Sequence, residues 1–153
     1  MSNPIVYAFN VEGIPAAQPR VKAYVRGKHA AVYTPKTANS WKDCVKCAGI
    51  LARPKSPLQG PLFVSMTFAM PRPKAHYRSG KYSGELRLTA PGHVTAKPDF
   101  DNLMKSTVDA LTEIGFWRDD SQLAQVQFKK MYCSPDERPG CSITIVLLLD
   151  LET

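Results

Sequence analysis

The sequence predicts a single α/β or α+β domain, a mixed β-sheet packed with two main helices. Three observations carry that reading. Segments of period two, rich in β-branched and aromatic residues, occur at 5–11, 62–70, 123–133 and 141–149. Segments of helical period at 37–52 and 100–114 are interspersed with them. The chain has 153 residues, 44% of them apolar, which is enough for one core, and no internal repeat is visible.

The elements follow in order. Residues 5–11 alternate and end at Glu12-Gly13, a first strand. Residues 15–36 form a loop or irregular hairpin holding Arg20, Lys22, Arg26 and Lys28, with Tyr24 and Tyr33 among them. Residues 37–52 read as a helix, capped by Thr37 or Asn39, with Trp41, Val45, Ala48 and Leu51/Ala52 at helical spacing. A proline-broken connection covers 53–61. In the strand 62–70, Leu62, Val64, Met66, Phe68 and Met70 share one face, and Phe63, Ser65, Thr67 and Ala69 the other.

Residues 71–96 are rich in Pro, Gly, Ser and base, without sustained periodicity. A loop of that length in a compact domain is either functional or disordered. The clearest helix is 100–114, with Phe100, Leu103/Met104, Thr107, Leu111 and Ile114 as its apolar face and Gly115 as its stop. Strands at 123–133 and 141–149 are joined by a turn through Ser134-Pro135-Asp136 and Pro139-Gly140. The whole chain, 1–153, is read as one domain.

Charge is unevenly placed. Residues 1–98 carry 15 Lys and Arg against Glu12, Asp43 and Glu85, so 15 − 3 = +12. Residues 99–153 carry five bases against ten acids, so 5 − 10 = −5, which together give the net +7. A basic half calls for a polyanionic partner or is a solvated surface. A dense acidic cluster calls for a cation, because close carboxylates repel unless a metal or proton lies between them.

No apolar run reaches the ~20 residues of a membrane helix, and the N-terminus lacks a secretory pattern. The expectation is a soluble, cytoplasmic protein of a bacterial or phage-infected cell, without membrane partner or small-molecule cofactor. Cys44, Cys47, Cys133 and Cys141 read as reduced thiols in or near the core. His29, His76 and His93 match no ligand spacing.

The chemistry lies in Lys97-Pro-Asp-Phe-Asp-Asn-Leu-Met-Lys105, continuing to Asp109 and to Phe116-Trp-Arg-Asp-Asp120. Pro98 biases Lys97 toward an extended backbone. Asp99 and Asp101 are two apart, so an extended segment would point both carboxylates one way. They also stand at a helix entrance, where the dipole favours negative charge. Lys105 and Asp109 follow at intervals of four, on one polar helix face. After the helix stop the chain must reverse, which can return Asp120 to the first two aspartates. Three carboxylates would suit Mg²⁺, with water and phosphate oxygens completing the shell. Phosphodiester hydrolysis needs such a cation to neutralise the phosphate, lower the pKa of the attacking water and stabilise the leaving oxygen. Lys105 would add positive charge to the transition state. Taken singly, the same residues also read as helix caps, i,i+4 pairs and turn residues.

The pattern Lys97-Pro-Asp-x-Asp-Asn-Leu-x-Lys105, Asp109-Ala-Leu111 and Gly115-Phe-Trp-x-Asp-Asp120 resembles the RusA family of Holliday junction resolvases, common in phages and prophages. Weaker similarity extends to the first strand, Gln18-Pro-Arg20, the strand from Leu62 and the basic loop. The resemblance implies that Asp99, Asp101 and Asp120 bind metal and that Lys105 is needed for cleavage. It implies a Mg²⁺-dependent endodeoxyribonuclease, with Mn²⁺ as a substitute, that nicks opposing strands of a four-way junction in DNA recombination and repair. It also implies a homodimer, as the two-fold symmetry of a junction requires. The segment 71–96 is longer than in the most compact members, so no loop role is carried over.

Arg20, Lys22, Arg26, Lys28, Arg72, Lys74, Arg78 and Lys81 are the expected phosphate contacts. Tyr24, Tyr77 and Tyr82, interleaved with them, either stack on bases at a branch point or pack the loop on the body. The dimer surface is expected on the strand face of 62–70 or the apolar run 143–149, the latter reading mainly as sheet core. Two other functions share these residues: a non-catalytic branched-DNA-binding or DNA-packaging accessory, and a metal nuclease of broader nucleic-acid specificity.

Overall fold

Burial alternates without a break along β4 (Leu62–Met70): Leu62, Val64, Met66, Phe68 and Met70 are buried, and the residues between them half-buried. In the computed structural model, which describes residues 3–149, this strand organises the sheet. β5 (Leu123–Tyr132) lies parallel to it on one side, and β6 (Gly140–Leu147) antiparallel on the other. β1 (Val6–Glu12) pairs antiparallel with β6, giving the order β1-β6-β4-β5. The sheet is mixed, and the domain is of the α+β class.

β5 and β6 are consecutive, yet β4 lies between them. A parallel β4–β5 pair needs a crossover, which the helix at 100–113 supplies. The alternation of Cys141, Ile143 and Ile145 then needs an interior position, and β6 finds it between β1 and β4.

α1 (Asn39–Ala52) and α2 (Phe100–Glu113) contribute Trp41, Val45, Leu103, Val108 and Leu111 to one core with the sheet. Trp41 Nε1 donates to Thr107 Oγ1 at 3.0 Å, joining the helices inside that core. Their close approach depends on Gly49. A Cβ there would lie 2.6 Å from Ile114 Cδ1 and 2.9 Å from Leu111 Cδ2.

The cap of α1 and one face residue of each helix depart from expectation. Ala38 takes the N-cap position of α1 without a side-chain cap bond, so neither Thr37 nor Asn39 caps it. Leu51 is 91% exposed, because the buried stripe runs through Trp41, Val45 and Gly49. On α2, Phe100 is also largely exposed, while Ser106 and Thr107 are fully buried. Their hydroxyls are satisfied by the carbonyl of Leu103, which removes the usual cost of burying them. Gly115 ends α2 at φ +75°, and Phe116 and Trp117 turn into the core.

Residues 22–33 form a regular hairpin. β2 (Lys22–Arg26) and β3 (His29–Tyr33) make a separate two-stranded ribbon, turned through Gly27-Lys28 with Gly27 at φ +65°. All its strand residues are exposed except the half-buried Ala31.

The segment 71–96 is an ordered lobe. Two short 3₁₀ turns, Lys74–His76 and Gly80–Tyr82, are closed by Arg78 N–H to Glu85 O (2.8 Å) and Arg87 N–H to His76 O (2.9 Å). Tyr132 N–H to Gly92 O (2.8 Å) and Val94 N–H to Lys130 O (3.1 Å) tie the lobe to the end of β5. A segment without hydrophobic period is ordered here by finding partners for its backbone polar groups.

All four cysteines are free: Cys133 and Cys141 are buried, Cys44 is half-buried and Cys47 is exposed. Burial pushes the Cys141 thiol well above its ordinary range, leaving it an inert core group. Among the described residues, no helix is long and apolar enough to cross a membrane.

Candidate active site

The entrance of α2 sets the first two aspartates. Asp99 is the N-cap residue, extended at φ −68° and ψ 149°, but its side chain makes no cap bond. Its Oδ2 instead lies 3.0 Å from Lys97 Nζ, an exposed pair. Asp101 sits in the first turn. The helix begins at Phe100, so the extended alternation inferred from the sequence does not reach Asp101, and the two carboxylates leave a changing backbone.

They line adjoining hollows. The larger, about 640 Å³, is bounded by residues 93–96, Asp99, Phe100, Asp101, Phe128 and Lys130. The smaller, about 300 Å³, is bounded by Asp101, Lys105, Asp109, Asp120 and the apolar Met104, Val108, Leu123 and Val126. Asp101 belongs to both. Lys105 Nζ stands 3.9 Å from Asp109 Oδ2, four residues on, which holds the ammonium on the polar face of α2.

The reversal after α2 separates two neighbouring aspartates. Asp119 Oδ1 accepts from Ser121 N–H at 2.8 Å, and Ser121, through its side chain first and this backbone N–H second, holds the carboxyl below the usual carboxylate range. Gln122 completes a capping box: its Oε1 accepts from Asp119 N–H (3.0 Å) and Arg118 N–H (2.9 Å). Its Nε2 donates to Leu58 O (2.9 Å) and Gly60 O (3.0 Å), pinning the turn to the loop after α1. Asp119 is thus engaged in the turn, while Asp120 lines the hollow with Asp101 and Lys105.

The donor set suits a hard divalent cation, since every candidate ligand is a carboxylate oxygen. The grouping is open: among the described residues, no three His, Cys, Asp or Glu side chains stand close enough together to hold a metal ion. The Lys97 ammonium already engages Asp99.

Sequence reasoning assigned no supporting role to three residues that have one. Lys130 Nζ donates to Ala96 O at 2.8 Å and Pro98 O at 2.7 Å, fixing the strap that leads into Asp99. The available signal was a lysine in register with Val126 and Phe128 on an otherwise apolar strand face. Gln122 carried the capping-box spacing from Asp119. Gln18 N–H donates to Asn102 O at 2.9 Å, bringing the segment before β2 against the start of α2, and its side-chain Oε1 is buried without a hydrogen-bond partner among the described residues.

The expected phosphate contacts fall on two elements. Lys22 and Arg26 share one face of the ribbon, Lys28 is at its turn and Arg20 at its root. Lys74 and Lys81 lie in the 3₁₀ turns of the lobe. Arg78 pairs with Glu85 at 2.7 Å and stacks over Tyr82 at 4.1 Å. Arg72 differs: its guanidinium donates to Cys133 O (2.7 Å) and Pro91 O (2.8 Å) and meets His76 Nδ1 (3.3 Å). Those internal bonds give it the task of holding the lobe to the body.

A family model described as endodeoxyribonuclease RusA matches residues 12–146, which spans every element from the end of β1 through most of β6. The chain belongs to the RusA endodeoxyribonuclease family. The protein YqaN of Bacillus subtilis is 30% identical over 139 residues, covering 90% of this chain and 93% of that relative. The crossover junction endodeoxyribonuclease RusA of Enterobacteria phage 82 is 44% identical over 46 residues, 30% of this chain. The same protein of Escherichia coli K12 is matched to the same extent. The chain aligns with 38% of the length of these two named nucleases.

Proposed function

We propose that this chain is a Mg²⁺-dependent Holliday junction resolvase, nicking opposing strands of four-way DNA junctions in recombination and repair. One observation supports it above the others: Asp101 is shared by a hollow holding Asp99 and a hollow holding Asp120 and Lys105. In a RusA-family chain, that brings the candidate ligands and the candidate cation to one surface.

Asp101 and Asp120 would hold the metal from the smaller hollow, with Asp99 reaching in from the adjoining one. Bound there, Mg²⁺, or Mn²⁺ in its place, would neutralise phosphate charge and lower the pKa of an attacking water. Lys105 would place a second positive charge against the phosphoryl oxygens as negative charge builds on them. Asp109 would keep that ammonium from swinging away. Lys97 would have to release Asp99 when the metal enters, a small cost for an exposed pair.

DNA would be held by phosphate contacts through Arg20, Lys22, Arg26 and Lys28 on the ribbon and Lys74, Arg78 and Lys81 on the lobe, with Arg72 holding the lobe in place. Such contacts bring affinity and salt dependence without reading sequence. A homodimer would place two such sites on the two-fold axis of the junction. Ile143 and Ile145 are buried in the core, so the outward face of β4, with Phe63, Ser65, Thr67 and Ala69, is the better candidate for its interface.

The open grouping of the carboxylates favours one rival, a junction-binding protein that does not cut. A nicking assay on a synthetic four-way junction, with and without Mg²⁺, separates the two. The expected result is metal-dependent paired nicking by the wild type. In Asp101→Asn it falls by on the order of 10³, the rate equivalent of several kcal/mol of lost charge stabilisation. Tight junction binding with no cleavage under any divalent metal would favour the rival. Equal cutting of junction, duplex and single strand would favour a broader nuclease.

A further inference from the structure

We propose that the β2–β3 ribbon is a binding site for unpaired nucleotides, with Tyr24 and Tyr33 as its stacking platform. The register assigns its two faces. Lys22 opposes Tyr33, Tyr24 opposes Ala31, and Arg26 opposes His29, so these six residues share one face. Ala23, Val25, Ala30 and Val32 make up the other, which carries no charge. One side therefore combines Lys22, Arg26 and two aromatic rings, a composition complementary to a phosphate chain with bases attached.

The rings are available. Tyr24 and Tyr33 are 47% and 49% exposed, and their centroids lie 5.8 Å apart at 68°, an edge-to-face pair that leaves ring face uncovered. Two other tyrosines beside bases are covered, and Tyr77 is half-buried. Tyr82 is covered by Arg78 at 4.1 Å and approached by Lys81 at 5.0 Å. Tyr132 meets His76 at 4.7 Å and Arg72 at 5.4 Å. Among the described residues, the only aromatic or cation–π contact of Tyr24 and Tyr33 is with one another.

The ribbon is also rooted beside the candidate active site. Ala16 O accepts from Ser106 Oγ at 2.6 Å, and Gln18 N–H donates to Asn102 O, the residue after Asp101. A strand held in the hollows at Asp101 would pass close to the root of the ribbon. A branch point supplies flared or unpaired bases, whereas a fully paired arm presents none. The ribbon would thus favour junctions over duplex. This preference rests on the resolvase reading for its biological substrate, but the binding chemistry does not.

The test reads binding alone, with the full chain in metal-free buffer, by fluorescence anisotropy on a four-way junction, a paired duplex and a single-stranded oligonucleotide. The Tyr24→Ala/Tyr33→Ala variant is expected to weaken junction and single-strand binding about tenfold or more and duplex binding little. Tyr24→Phe/Tyr33→Phe is expected to bind like the wild type, because it keeps the π-faces. Equal loss on all three DNAs, or loss in the Phe variant, would overturn the proposal. Should the alanine variant not fold, photocross-linking of wild type to single-stranded 5-iodouridine decides: cross-links at Tyr24 or Tyr33 support it, and cross-links confined to Tyr77 or Tyr82 sink it. Absence of nicking with this binding pattern intact would overturn the nuclease reading alone.

Discussion

Lys130 donates its ammonium to the carbonyl oxygen of Pro98 at 2.7 Å, so an edge strand holds the residue immediately before Asp99. A second bond to Ala96 O makes this a two-point clamp. Removing it would leave two carbonyls without their donor and free the strap to move. Supporting partners of this kind cost about 10–100-fold in metal affinity or activity when lost. Lys130→Met should therefore weaken Mn²⁺ binding, measured by calorimetry or electron paramagnetic resonance, and lower nicking by a similar factor. Lys130→Arg, which keeps two donors, should recover part of both. Unchanged Mn²⁺ affinity in Lys130→Met would reduce the residue to a structural tie.

The two classes of basic residue should separate in a salt titration. Each lost phosphate contact lowers the slope of log affinity against log salt by about one. Lys22→Ala should do this on junction DNA with little effect on melting temperature, since its side chain stands on the exposed ribbon. Arg72→Ala should leave the slope alone and destabilise the fold, because it strands the carbonyls of Cys133 and Pro91. A slope change for Arg72→Ala without loss of stability would return it to the DNA contacts.

These residues also mark what the sequence could and could not reveal. Strict alternation located β4, and helical period with Gly115 located α2, because both are local consequences of burying one face. Leu51 and Phe100 misled for the same reason: helical spacing shows that a stripe exists, but the partner decides which residues it includes. The separation of β5 from β6 by β4 is a long-range choice that no local pattern encodes. Asp120 was marked by the family resemblance and by the expected chain reversal, whereas the local reason that it differs from Asp119 depends on which carboxylate caps the turn. Lys130 and Gln18 act through bonds spanning 32 and 84 positions (130 − 98 and 102 − 18), beyond the reach of spacing.

Gly49 of α1 should not tolerate even a single added methyl group. Its φ is ordinary, so the constraint is space: a new Cβ would overlap Ile114 and Leu111 on the neighbouring helix. Gly49→Ala should cost about 1–3 kcal/mol by overpacking, despite alanine's better helix propensity. Gly84, whose Cβ position is open, serves as the control, and Gly84→Ala should be neutral to slightly stabilising in denaturant unfolding. Equal effects of the two would mean that α1 and α2 can move apart at no cost.

Acid should loosen the same helix pair through Glu113. Its carboxyl is held below the usual range chiefly by the hydrogen bond from Lys46; burial opposes this as the next largest effect, and the Lys42 hydrogen bond with the attraction of both lysines adds to the lowering. A carboxylate with a lowered folded pKa contributes its full stability above its ordinary value. That contribution fades as pH falls through the lowered one. The pair is half-exposed, so the contribution is on the order of 0.5–1 kcal/mol after screening. Glu113→Gln should match the acidified wild type in stability, lose the corresponding step between neutral and acidic pH, and show less dependence on salt near neutrality. Urea unfolding at a series of pH values measures this directly. If the wild type and Glu113→Gln lose stability in parallel over the acidic range, Lys42 and Lys46 contribute nothing to holding α1 against α2.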